Sequence, residues 1–328
     1  MRRRTTLMAG LRLGALLPAA AGLRPRPALA QAGFPNRPIR LVIPAGVGGG
    51  TDILARLVAP GAAAALGTPV VIENRGGGES LIGTELVVRS PPDGHVLLFS
   101  DTSPYLARVL RSRMPFDPLT DLLPVMRVAV GSIILYAHPG SGIRDLGGLV
   151  ARAKAQPGGI SYGTSSTGSH LLGELLRMRA GIDLVHVPYR SGGLALNDVL
   201  SGHVPLTFNG ASNGKGFVQS GELVAVGSAG EVRNPSLPDV PTFAEQGFPG
   251  FPAGSEWGLF APAGTPAAVL DTVEAAFRQA TFDPGLAGRL GELGFSPDGT
   301  RGAAYAEEMA RAMRLWGEVA AAAGMVQQ

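Results

Sequence analysis

The chain has 328 residues, with 28 basic and 25 acidic side chains, five histidines and no cysteine, which excludes disulfides and thiol chemistry. Six of the basic residues and no acid fall in residues 1–30, so 22 basic and 25 acidic residues remain beyond them, a balance of −3. That balance gives no support to a nucleic-acid partner, whose binders carry basic patches, and the length predicts about two domains.

Residues 1–30 read as a secretory signal. Arg2, Arg3, Arg4 and Arg12 precede an uncharged apolar run over 13–23, and Ala28-Leu29-Ala30 offers small residues for cleavage, leaving Gln31 first. The run is shorter than the roughly 20 apolar residues of a membrane span, although an uncleaved anchor is the alternative. Arg3-Arg4 ahead of Leu7 fits the twin-arginine route loosely, so the export route stays open. The predicted location is the periplasm.

Next comes the stretch around which the chain is organised. An apolar run over 39–43 ends at Pro44 and enters Ala45-Gly46-Val47-Gly48-Gly49-Gly50, with an amphipathic helix expected from Thr51 or Asp52, either of which suits a cap. Strand, glycine loop and helix start make an anion site, because Cβ-free backbone approaches closely and the first helical N–H groups are unpaired and partly positive. Thr51 stands where the dinucleotide fingerprint needs its third glycine, and no Gly-Lys-Ser/Thr follows. A tight turn without ligand is the competing reading.

Further strands are predicted over 70–73, 96–100, 133–137, 160–163, 184–187, 205–209, 224–227 and 257–261. Helices are predicted over 51–66, 81–89, 145–155, 169–180 and 194–201. The last part turns helical over 267–280, 284–293 and 301–323. Alternating strands and helices predict α/β layers with mostly parallel sheets. A chain crossing in the 130s and a Pro/Gly-rich stretch over 235–252 predict one discontinuous lobe, 31–133 with 253–328, and a second lobe, 134–252.

Three more loops follow strands. Ser100 leads into Asp101-Thr102-Ser103, residue 163 into Thr164-Ser165-Ser166-Thr167-Gly168-Ser169, and Asn209 into Gly210-Ala211-Ser212-Asn213. Ligands of open α/β sheets sit beyond the carboxyl ends of strands, where hydroxyls and amides bond polar atoms without adding charge. Ser169 equally suits a plain helix cap. The histidines show no i, i+4 pair and no zinc spacing, so neither metal nor cofactor is expected. Ser169-His170 is no catalytic pair, since helix neighbours diverge, and no Gly-x-Ser-x-Gly elbow is present. Trp257, and the face carrying Met309, Met313 and Trp316, read as packing.

A series of segments resembles the tripartite tricarboxylate transporter substrate-binding proteins, the Bug or TctC-like periplasmic receptors. It starts with Pro35-Asn36-Arg37-Pro38-Ile39-Arg40-Leu41-Val42 into Gly48-Gly49-Gly50-Thr51-Asp52. Leu66-Gly67-Thr68-Pro69-Val70-Val71-Ile72-Glu73-Asn74-Arg75, Pro92-Asp93-Gly94-His95 and Phe116-Asp117-Pro118 follow. Tyr162-Gly163 through Gly168-Ser169 and His186-Val187-Pro188-Tyr189-Arg190 come next. Leu237-Pro238-Asp239-Val240-Pro241-Thr242-Phe243-Ala244-Glu245 and Trp257-Gly258-Leu259-Phe260-Ala261-Pro262-Ala263-Gly264-Thr265-Pro266 close the series. Together they span nearly all of the chain after residue 30.

The resemblance implies a two-lobed type II Venus-flytrap fold, with a small carboxylate held between lobes by backbone N–H groups and hinge closure. It implies a monomer that serves membrane subunits of a tripartite transporter. By the same resemblance the binding residues are Ala45, Gly48, Gly49, Thr51 and Asp52 on the first loop, and Ser165, Thr167, Gly168 and Ser169 on the opposing one. Ser100, Thr102, Ser103, Tyr189 and Asn209 complete the set. The chain departs from the pattern at His170-Leu171, at Arg190-Ser191-Gly192-Gly193, at Asn209-Gly210-Ala211-Ser212 and at Glu79-Ser80. The first three departures leave the ligand open. A receptor that feeds a signalling kinase and a secreted Ser/His hydrolase are the alternatives to transport.

Overall fold

A strand buried on both faces sits at the centre of one half of the sheet. The computed structural model describes residues 33–326 apart from Glu79 and Ser112; the expected signal segment and its cleavage point therefore lie outside the described residues. In β1 (Ile39–Ile43), Ile39, Leu41, Val42 and Ile43 are all inaccessible to solvent. Apart from the exposed Arg40, this apolar run suits a parallel strand covered by helices on both sides. It is followed by α1 (Gly50–Leu66), β2 (Val70–Asn74), α2 (Leu81–Val88), β3 (Val96–Ser100), α3 (Ser103–Leu110) and β4 (Leu122–Ala137). After a short 3-10 turn at Pro139–Ser141 come α4 (Leu146–Ala155), β5 (Ser161–Thr164), α5 (Thr167–Ala180), β6 (Val185–Pro188) and α6 (Gly192–Leu200). The chain continues through β7 (Leu206–Gly210), α7 (Ala211–Gln219), β8 (Val224–Ser228) and β9 (Gly254–Pro262). It closes with α8 (Ala267–Thr281), α9 (Pro284–Glu292), β10 (Ser296–Pro297) and α10 (Gly302–Ala322).

The strand order is β2-β1-β3-β9-β4-β7-β5-β6, with β8 and β10 also paired to β4. The strands β1, β2 and β3 run parallel, and so do β5, β6 and β7. Between these two parallel groups lies the antiparallel pair of β4 and β9. Along Leu122–Ser132 the long β4 partners β9; along Ile133–Ala137 it partners β7 and β8 instead. One strand therefore belongs to both half-sheets.

Three expectations are corrected. The strand expected over 133–137 starts eleven residues earlier, at Leu122. Pro124, Arg127 and Gly131 hide it by breaking the apolar alternation, and the register indeed shifts at Pro124/Met126 and Arg127/Ala129. Two helices, α3 and α7, occupy stretches read as loops. Pro104 at the first turn of α3 is a helix-start signal. In α7 the low propensity of Gly214 misleads, because a side chain there would collide with the Tyr136 ring. Lastly, α1 is capped by Gly49 with no side-chain bond, so neither Thr51 nor Asp52 caps it.

The helices cover both faces. On one, α1 lies against α8, with Gly61 facing Ala280: a Cβ at residue 61 would stand 2.9 Å from the Ala280 Cβ. On the other, α10 runs past α3 and α5, and its Trp316, Val319 and Ala320 enter the same buried cluster as Leu106, Leu171, Leu175 and Ile133. The last helix thus straps α3 to the second half-sheet. Gly61→Val is expected to lower stability by about 1–3 kcal/mol through overpacking, read as a lower urea midpoint at unchanged m-value; an unchanged midpoint would show that α1 and α8 separate freely.

Candidate ligand-binding site

The first site loop is held by one carboxylate. Asp52, at the third position of α1, turns back so that its Oδ2 accepts the Gly48 N–H at 2.9 Å. Its Oδ1 accepts from Asn74 Nδ2 at 3.0 Å, and both oxygens accept from Arg56 Nε at 2.9 and 3.0 Å. Asn74 also donates to the Ala45 carbonyl at 3.2 Å, tying the loop to β2. The Arg56 guanidinium, with help from Gly48 and Asn74, holds the Asp52 carboxyl below its usual range against the cost of burial. Asp52 is 2% exposed; its charge is directed inward and matched by Arg56. Gly48 has φ +83°, a conformation in which a side chain is strained.

Thr51 is also turned inward: its Oγ1 accepts from Trp257 Nε1 at 3.1 Å. The Trp257 ring lies edge-on to Phe295, 4.8 Å between centroids, and 3.5 Å from where a Cβ at Gly50 would stand. The indole therefore fixes the start of α1 from below. The exposed part of the loop is Gly46, Val47, Gly48, Gly49 and Gly50, and the first-turn N–H groups of α1 have no acceptor within the helix.

The second loop follows β5. Ser166 caps α5 and Ser169 completes a reciprocal capping box: the Ser169 N–H donates to Ser166 Oγ, and the Ser166 N–H donates to Ser169 Oγ. Ser169 Oγ also donates to the Ser166 carbonyl at 3.0 Å. This hydroxyl is committed to the helix start, which removes it as a hydrolase nucleophile. Ser165 and Ser166 are exposed, Thr167 is half-buried, and Gly168 is buried where a Cβ would stand 3.4 Å from the Gly254 carbonyl.

The remaining expected residues divide. Ser100 ends β3 with its hydroxyl buried and unpartnered among the described residues. Thr102 and Ser103 start α3, where the Ser103 N–H donates to Asp101 Oδ1 at 2.9 Å. Thr102 and Gly168 line one cavity, so the structure brings α3 and the second loop together. Tyr189 donates its hydroxyl to Asp198 at 2.7 Å, and Asn209 is engaged by Gly192, Gly210 and Asn213. Both brace α6 and α7 to the sheet. Sequence reading missed Asn74, Trp257 as a support of the loop, and the start of α7; partners 22 and 206 residues apart leave no local trace.

Beneath the second loop two imidazoles stack. His170 and His186 lie 3.5 Å apart at 12°, with Tyr162 packed against both. His186 Nε2 bonds Thr164 Oγ1 at 2.8 Å, and Glu174 stands 3.8 Å from His170 while bonding Tyr162 and Arg177. Burial, then the neighbouring His170, brings His186 down to about 4 from its ordinary 6.5, and burial lowers His170 too. The folded state keeps both rings neutral while the unfolded chain takes up protons near pH 6.5. The unfolded state then binds more protons, so stability should fall as pH drops from about 6.5 to about 4. Melting temperatures across that window should show a steeper decline for the native chain than for His186→Gln; parallel curves would refute the assignment.

Comparison with known proteins now bears on this geometry. A family model described as "Tripartite tricarboxylate transporter family receptor" matches residues 54–325. BugT of Bordetella pertussis is 36% identical over 236 residues, covering 71% of this chain and 72% of that protein. The structure of the periplasmic binding protein BugD has a TM-score of 0.73 at 30% identity, covering 90% of this chain and 100% of that one. MatC from Rhodopseudomonas palustris, solved with bound malate, has a TM-score of 0.71 at 29% identity, covering 87% and 99%. The fold is that of the two-lobed type II binding proteins, and the matching family is one of receptors rather than enzymes. The chain belongs to the TctC family, the receptors of tripartite tricarboxylate transporters.

Proposed function

We propose that this chain is a periplasmic receptor that captures a small organic carboxylate and delivers it, as a monomer, to the membrane subunits of a tripartite tricarboxylate-type transporter. One observation carries the reading: the two loop-to-helix starts, one from each half-sheet, meet the same strand. Gly50 abuts Trp257 and Gly168 abuts Gly254, three residues apart on β9, or about 10 Å along the strand. Two helix N-termini at that separation suit a small anion. The malate bound to MatC is an acid of this class.

In this reading the lobes are 31–133 with 253–328, and 134–252, joined where β4 changes partners. The ligand carboxylate is held by backbone N–H groups of the Gly46–Gly50 stretch other than that of Gly48, which Asp52 takes, and by those of α5, with the hydroxyls of exposed Ser165 and half-buried Thr167 beside it. Asp52, Thr51, Tyr189 and Asn209 act by shaping the loops.

Purified protein should gain melting temperature with at least one member of a panel of di-, tri-, aromatic and amino-substituted carboxylates. A ligand at a hundredfold excess over Kd adds about 2.7 kcal/mol. No shift across the panel at millimolar concentration would overturn the reading. Gly48→Val should weaken binding about tenfold, because the loop needs a left-handed residue there and strain of this kind is worth about 1–3 kcal/mol; unchanged affinity in calorimetry would reduce the loop to a turn.

A further inference from the structure

A cavity of about 40 Å³ lies where α3, α5, β9 and α10 meet. That is roughly three times what one enclosed water needs. Leu106, Met309, Met313 and Trp316 make its walls largely apolar, while Thr102 and Gly168 place it at the starts of α3 and α5, the latter one of the two helix starts of the binding site.

Two polar groups do not fit a purely structural role. Tyr105 lines the cavity and is 4% exposed, yet its hydroxyl has no hydrogen-bond partner among the described residues. A buried hydroxyl left unpaired costs about 1–3 kcal/mol, so its presence calls for an explanation. Glu256 also lines the cavity, and its carboxylate stands 3.5 Å from Arg127. That guanidinium is closer to Glu308, at 2.7 Å, and to Asp298, at 2.9 Å, and lies 5.5 Å from the centroid of the Tyr305 ring. One cation thus answers three carboxylates. Burial pushes the Glu256 carboxyl above its usual range. A second carboxylate entering here would meet like charge; an ammonium would meet a carboxylate with charge to spare and a hydroxyl able to accept.

Resting on the receptor reading above, we propose that this cavity takes the far end of the ligand, and that the ligand is a monocarboxylate whose short apolar tail ends in an ammonium group held by Glu256 and the Tyr105 hydroxyl. The backbone donors of the two helix starts hold the carboxylate end. Glu256 and Tyr105 then set specificity by charge: they reject diacids of equal length and accept ω-amino acids.

Calorimetric titration of the purified protein with two matched pairs tests this: 4-aminobutyrate against glutarate, and 5-aminopentanoate against adipate. The amino acid of each pair should bind at least tenfold more tightly. Glu256→Gln should cost the amino acids about tenfold, the range of a hydrogen bond to a charged group, and narrow the preference. Tyr105→Phe should also weaken them while raising the melting temperature of the free protein, since an unpaired buried hydroxyl is removed; it carries the test if Glu256→Gln does not fold. Tighter binding of the diacids, or a preference unchanged in both variants, overturns the tail assignment and leaves the receptor reading standing. Binding by none of the four acids overturns the tail assignment, and the receptor reading falls with it only if the whole carboxylate panel also gives no shift.

Discussion

The antiparallel pairing of β4 with β9 is the constraint on which the rest of the molecule depends. Each parallel group of strands is built by local crossovers and could stand as a separate layer. Among the described strands only β4 pairs within both, changing partners at residues 132–133. Its neighbour β9 carries Gly254 and Trp257, the residues that the two site loops press against. Register along this pair therefore sets the distance between the loops, and a slip of one residue would turn Trp257 to the opposite face.

The surface proposed to bind the ligand is built from compensated charge. Asp52 sits at a helix start where an anion is favourable, but Arg56 and Asn74 fix it facing inward. The loop keeps its shape without presenting a net charge of its own, leaving its backbone dipoles to face the site. The α5 start follows the same logic with neutral parts, since Ser166 and Ser169 satisfy each other. Glu256 breaks this pattern, as one of three carboxylates around Arg127. An unbalanced charge in an otherwise balanced site is the natural place to look for selectivity.

How much of this was legible in the sequence follows from how local each cause is. The run from Ile39 to Ile43 and the glycines after it announce a buried parallel strand and its loop, and the hydroxyl-rich stretch after β5 announces a capped helix. Caps were misread where a side chain had another partner: Thr51 answers Trp257, far along the chain, and Asp52 answers Arg56 one turn on and Asn74 on β2. The first part of β4 stayed hidden because Arg127 breaks its apolar pattern to reach Asp298 and Glu308, more than 170 residues on. Packing, not propensity, accounts for Gly214, where Tyr136 claims the space of a side chain.

The chain has two tryptophans, and each stands beside a different part of the site. Trp257 touches the glycine loop, and Trp316 forms a wall of the cavity at the other end. The protein thus carries its own pair of optical probes. Replacing either indole by phenylalanine would leave the emission of the survivor to report separately on the glycine loop and on the cavity.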